Sequence, residues 1–158
     1  EQAQAKIALR FKIDMATEIR ASVETHDGTW HVGGTYIDAA GGGCTQPAAA
    51  YASDDWEEHL GKVHGRLWTA TGRAHFVVDH PMDTGLAGDI PVFIIEDLAL
   101  SREDGAMLAR IELKEPVNED PAFTLYFEQG SLPPAARLTG RDNNGNRIDA
   151  LLTEGGTH

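Results

Sequence analysis

The chain has 158 residues, 41% of them apolar, which is enough for one or two small domains with packed cores. A formal net charge of -12 and a pI near 4.8 oppose a phosphate backbone by long-range repulsion, which argues against a nucleic-acid partner. No apolar run approaches the roughly 20 residues needed to cross a bilayer, and a single cysteine excludes an internal disulfide, so burial alone must hold the fold.

The chain opens at Glu1 with no Met and no signal-like apolar core, so either a removed leader or a fragment is expected. Short alternating segments between turn signals dominate, and long 3.6-period stretches are absent, which predicts an all-β fold. The first strands are expected at Ala5 to Ile13, Glu18 to Thr25 and Thr29 to Asp38. Asp27-Gly28 turns the last two into a hairpin, and a three-stranded antiparallel meander follows. Ile19, Ala21 and Val23, then Trp30 and Val32, fall at every second position, as on a strand with one buried face. Three strands are fewer than half of a closed sandwich. Either further strands lie upstream of Glu1, or these three add to a sheet of the second region.

Between Ala39 and Ala52 small side chains, three successive glycines and Pro47 read as a linker. A short helix is expected over Ser53 to Leu60, with Asp54 and Glu57 at capping-box spacing and Gly61 closing it. Trp56 and Trp68 are expected to pack this helix onto the second region.

From Lys62 to Leu152 the length suits an immunoglobulin-like sandwich. Seven strands are expected: Val63 to Trp68, Arg73 to Val78, Val92 to Leu100, Met107 to Leu113, Ala122 to Glu128, Ala135 to Gly140 and Arg147 to Leu152. Asp142-Asn143-Asn144-Gly145 joins the last two, because Asn and Gly tolerate the positive φ of such turns.

Cys44 is the residue with chemistry to offer. Gly41, Gly42 and Gly43 before it remove side chains and φ restrictions that would block entry to a narrow channel, and they offer no apolar wall to bury the thiol. The neighbouring charges in sequence are Asp38, Asp54 and Asp55, which disfavour the thiolate, so a passive thiol near the free value of about 8.5 is expected, with activation left to a partner.

Other constellations are weaker. His26, His31, His59, His64, His75, His80 and His158 carry no zinc spacing, so no metal or cofactor is assigned. His80 and Met82 could join Cys44 in a copper site, since imidazole, thioether and thiolate suit that metal; a structural role, with Pro81 ending a strand and Met82 filling the core, is preferred. Ser53, Asp55 and His59 contain the types of a hydrolase triad but lack a nucleophile elbow and read as cap residues. Glu57-Glu58, Glu96-Asp97 and Glu103-Asp104 read as solvated surface.

Gly41-Gly42-Gly43-Cys44, directly after a strand, resembles the end of SoxY, where a strand runs into a Gly-Gly-Cys-Gly-Gly arm. His80-Pro81-Met82-Asp83-Thr84-Gly85 resembles the His-Pro-Met-x-Thr-Gly segment of SoxZ, and Ile90 to Ile94, Asn118 to Pro121 and Asp142 to Gly145 follow in SoxZ order. Both halves in one chain resemble the fused SoxYZ-like carriers associated with quinoprotein dehydrogenases. One departure is that Cys44 is internal, followed by Thr45-Gln46-Pro47. The resemblance implies a partial SoxY-like β region over 1–40, an arm and short helix over 41–61, and a SoxZ-type sandwich over 62–153. It further implies a periplasmic, non-enzymatic carrier of a sulfur-containing or related intermediate on Cys44, serving redox enzymes of a sulfur-oxidation or quinoprotein dehydrogenase pathway. A copper-binding or accessory module for such a dehydrogenase is the alternative.

Overall fold

A computed structural model describes residues 3–41 and 46–157. The described residues form eleven strands in chain order: β1 (Ala3–Ala8), β2 (Thr17–Glu24), β3 (Trp30–Ile37), β4 (Val63–Trp68), β5 (Arg73–Val78), β6 (Ile95–Ser101), β7 (Met107–Glu112), β8 (Ala122–Phe127), β9 (Ala135–Asp142), β10 (Arg147–Thr153) and β11 (Gly156–Thr157). The only α-helix among the described residues is one turn, α1 (Trp56–His59), preceded by a 3-10 turn at Ala49–Ala52. Among the described residues no helix is long and apolar enough to cross a membrane.

Two antiparallel sheets form the sandwich. One runs β1-β8-β5-β4 and the other β11-β10-β9-β6-β7. Strict alternation along β5 and β8 sends Ala74, Phe76 and Val78 and then Phe123, Leu125 and Phe127 inward. They meet Leu98 and Leu100 of β6, Leu138 of β9 and Leu152 of β10, all essentially without solvent exposure. The all-β, immunoglobulin-like expectation therefore holds, and each of the seven expected strands is found within three residues of its expected ends.

Local chemistry explains the turns. In the β2–β3 turn the Asp27 carboxylate accepts from Thr25 Oγ1 at 2.6 Å and Thr29 N at 3.0 Å, while Gly28 takes φ +80°. The hydrogen bond from Thr25 is the largest influence holding the Asp27 carboxyl below its ordinary pKa. After the short 3-10 turn Thr69–Thr71, Gly72 takes φ +62°, and an added Cβ would lie 2.3 Å from the Phe127 carbonyl oxygen. That position admits only glycine without rearrangement.

Three expectations about the first region need correction, beginning with the opening strand, expected over Ala5 to Ile13 and found over Ala3–Ala8. The three strands are no meander: β1 pairs with β8, with Ile7 opposite Leu125, and only β2 and β3 pair with each other. The β8 edge is an unfilled ladder of backbone donors and acceptors, and β1 completes it. Nor does the hairpin bury one shared apolar face. Register sets Val23 opposite His31 and Glu24 opposite Trp30, so Ile19, Ala21 and Val23 lie on one face and Trp30, Val32 and Tyr36 on the other. Ile19 and Val23 are half-buried, Ile19 beside a groove of about 420 Å³ shared with Phe11, Ile13 and Met15. Trp30, Val32 and Tyr36 stay 61–68% exposed.

Candidate functional site

Gly42, Gly43 and Cys44 lie outside the described residues. The structure does describe both flanks. On the upstream side Gly41 takes φ +96° close against the Asp14 carbonyl, where a Cβ would sit 3.0 Å from that oxygen. On the downstream side residues 48–61 are seated on the sandwich.

That seating begins at Ala48, which is buried, and at Ala49, whose N–H donates to Glu119 Oε2 at 2.6 Å. The Tyr51 hydroxyl donates to the buried carboxylate of Asp83. Desolvation first, and then this bond and the Asp83 charge, push the Tyr51 hydroxyl well above the ordinary tyrosine pKa. The Tyr51 ring meets Trp56 edge-to-face at 5.0 Å, and Trp56 meets Phe93 at 6.5 Å. Phe93 and Asp83 exchange backbone hydrogen bonds of 3.0 and 2.8 Å. Tyr51, Trp56, Phe93 and Asp83 therefore close a ring of contacts between linker and sandwich. The capping-box expectation is corrected: Asp55, not Asp54, occupies the N-cap, and no side chain caps the helix. Gly61 closes the segment with φ +76°, and its N–H donates to Asp79 O at 2.8 Å.

His80 lies beneath this ring, 2% exposed, its ring centroid 4.4 Å from that of Phe93. Its Nδ1 accepts the Met82 N–H at 3.0 Å, which places the proton of the neutral ring on Nε2. Nε2 stands 3.5 Å from Asp142 Oδ2, in ion-pair range but without hydrogen-bond geometry. Burial pushes the His80 pKa down, and the nearby carboxylates of Asp142, Asp83 and Asp120 only partly offset that effect. The Asp142 carboxylate is already engaged by Asn144 N, Asn146 N and Asn146 Nδ2. It thus closes the β9–β10 turn from within.

The remaining expected residues sort clearly. Met82 is fully buried, as its core reading requires, with φ +50° and its sulfur accepting from Ile95 N at 3.3 Å. His80 Nδ1 and Met82 Sδ each accept a backbone N–H within the fold. No cluster of three metal-ligating side chains exists among the described residues. Ser53 donates to Asp55, and His59 Nε2 lies 3.5 Å from the same carboxylate; the acid sits between them, whereas a hydrolase triad needs the base between acid and nucleophile. Trp56 packs as expected, while Trp68 stacks under the Arg73 guanidinium at 3.8 Å and near Arg66 at 5.4 Å. Glu96 and Asp97 face Arg141 at the surface, each at 3.5 Å.

Sequence reading missed Tyr51, Asp83 and Phe93 as a unit. One signal was present: a lone tyrosine in an Ala/Gly/Pro stretch serves no purpose in a free linker.

These features define an all-β sandwich protein carrying a separate hairpin, a glycine-cysteine segment and a docked linker. Residues 1–44 match the family model described as sulfur oxidation protein SoxY, a little over a quarter of the chain, and the match ends on Cys44. No curated protein matches the chain.

Proposed function

We propose that this protein is a covalent carrier in sulfur oxidation, holding a sulfur-containing intermediate on Cys44 and presenting it to partner redox enzymes. The observation that carries the reading is the match of residues 1–44 to a sulfur-oxidation family, ending on the one cysteine of the chain. Its sequence setting adds support, because three glycines precede the thiol and no Lys or Arg other than Arg20 lies between Lys12 and Lys62. Such a thiol keeps its cargo until a partner supplies the charge that activates it. The strands over 62–153 serve as the SoxZ-type half, and a periplasmic setting accompanies the same reading.

Mass spectrometry of protein isolated from its native host during sulfur oxidation tests this. A mass increment on Cys44, released by a thiol reductant and lost in Cys44→Ser, is expected. An unmodified Cys44 under those conditions refutes the carrier reading. The net charge of -12 further predicts partners with basic docking patches, so association slows as salt rises. Association rates from stopped-flow mixing that ignore ionic strength would remove the electrostatic part of the proposal.

A further inference from the structure

We propose that the ring of Tyr51, Trp56, Phe93 and Asp83 is a latch holding residues 49–60 on the sandwich, and that proton uptake by His80 opens it. The inference stands on the described residues and does not depend on what Cys44 carries.

Geometry sets the condition. The neutral His80 ring can hold its present place because Nδ1 accepts the Met82 N–H, and a second proton would set two donors against each other across that 3.0 Å contact. The carboxylates facing the ring, Asp142, Asp83 and Asp120, favour an imidazolium by their charge, but each already holds other donors and none of them relieves the clash of a protonated Nδ1 with the Met82 N–H. Asp142 accepts three N–H bonds from the β9–β10 turn, and Asp83 accepts the Tyr51 hydroxyl. Asp120, on the loop before β8, accepts the His80 backbone N–H at 3.0 Å. Protonation therefore displaces either the ring or the Met82 peptide. Met82 already sits at φ +50°, a conformation that a side-chain-bearing residue keeps only when its surroundings impose it.

The consequence reaches the linker through the chain itself. Asp83 follows Met82 directly, and it supplies both the acceptor for Tyr51 and the backbone bridge to Phe93. A shift at Met82 thus withdraws two of the ring's links at once. A cleft of about 430 Å³ between the linker and the His80-Pro81 corner, lined also by Asp55, His59 and Asp79, gives solvent a route to this corner. The sign follows from burial: the neutral form is favoured in the folded state, so the latch is closed at pH 7 and above and opens as pH falls below the ordinary histidine range.

Nuclear magnetic resonance on the full chain tests the latch. The Trp56 indole N–H, identified by its loss in Trp56→Phe, senses the rings of Tyr51 and Phe93. On acidification from pH 7.5 to 5 it is expected to move toward the free-indole position with the same midpoint as the His80 ring carbons, while the methyl signals of Leu98 and Leu138 hold. His80→Asn keeps an acceptor for Met82 N–H and cannot take the proton, so its Trp56 signal should not move. Tyr51→Phe should show the open position at both pH values, and it serves if His80→Asn does not fold. A Trp56 signal indifferent to pH, a midpoint that differs from that of His80, or collapse of the Leu98 and Leu138 signals in the same step would each overturn the proposal. Failure here leaves the mass of Cys44 untouched, and an unmodified Cys44 leaves this titration to be decided by itself.

Discussion

The sandwich and the β2–β3 hairpin are built from the same kind of sequence and end in opposite states. Both alternate apolar and polar side chains, and both turn on Asp or Asn with Gly. In the sandwich the inward residues of β5 and β8 meet a second sheet and are buried. In the hairpin Trp30, Val32 and Tyr36 line one side of β3 with nothing described over them, and they remain more than 60% exposed. Strand periodicity decides which side chains share a face. Burial needs a second layer, which periodicity does not supply.

That comparison can be broken at its strongest point first. Phe76 and Phe123 are fully buried with rings 5.5 Å apart, so Phe76→Ala is expected to cost about 3–5 kcal/mol in urea unfolding. A loss near that of a surface substitution would mean the two sheets do not share one core. Gly72→Ala comes next, since its Cβ must enter the space of the Phe127 carbonyl at positive φ. A loss of about 1–3 kcal/mol is expected, measured as a shift of the thermal midpoint at an unchanged fold by circular dichroism.

The pH dependence is of intermediate size. Unfolded histidine takes its proton near 6.5, and burial holds folded His80 below that value. The native state is thus penalised only in acid: its stability is complete above about pH 6.5 and declines as pH falls through the depressed His80 pKa. Urea midpoints at pH 7.5 and 5 should differ in the wild type, and the difference should shrink in His80→Asn. Equal slopes in both proteins would assign the acid sensitivity to other groups. The smallest effect belongs to the hairpin, where Trp30→Ser should change stability by no more than about 0.5 kcal/mol. A loss of several times that amount would show that the Trp30 face is covered in solution.

The extents of the strands were largely legible in the sequence. Val63–Trp68 and Arg73–Val78 begin and end as expected, because turn residues and alternation are local signals that tertiary context did not override. The partner of β1 was not legible. Ala3–Ala8 is short and weakly patterned, and its pairing with β8 joins residues more than a hundred positions apart, which no local pattern encodes. The β2–β3 register was implicit in the two-residue alternation, yet assigning Val23 and Trp30 to one face required an odd offset that the turn does not allow.

The candidate site divides in the same way. Cys44 and its glycines stand out in sequence because composition changes abruptly there, and Met82 could be assigned to the core because a thioether between two apolar stretches has no better place. The Tyr51–Asp83 bond, the stack through Trp56 to Phe93, and the enclosure of His80 by Asp142 and Asp120 arise only when the linker, the His80 loop and two distant turns converge. By itself the sequence determined the all-β class, the limits of most strands though not of the first, the turns and the isolation of one thiol among glycines, since each depends on residues close in the chain. The tertiary structure alone decided which strand completed which sheet, which apolar faces were buried and which ionisable groups became neighbours, because these depend on contacts whose sequence separation carries no local signature.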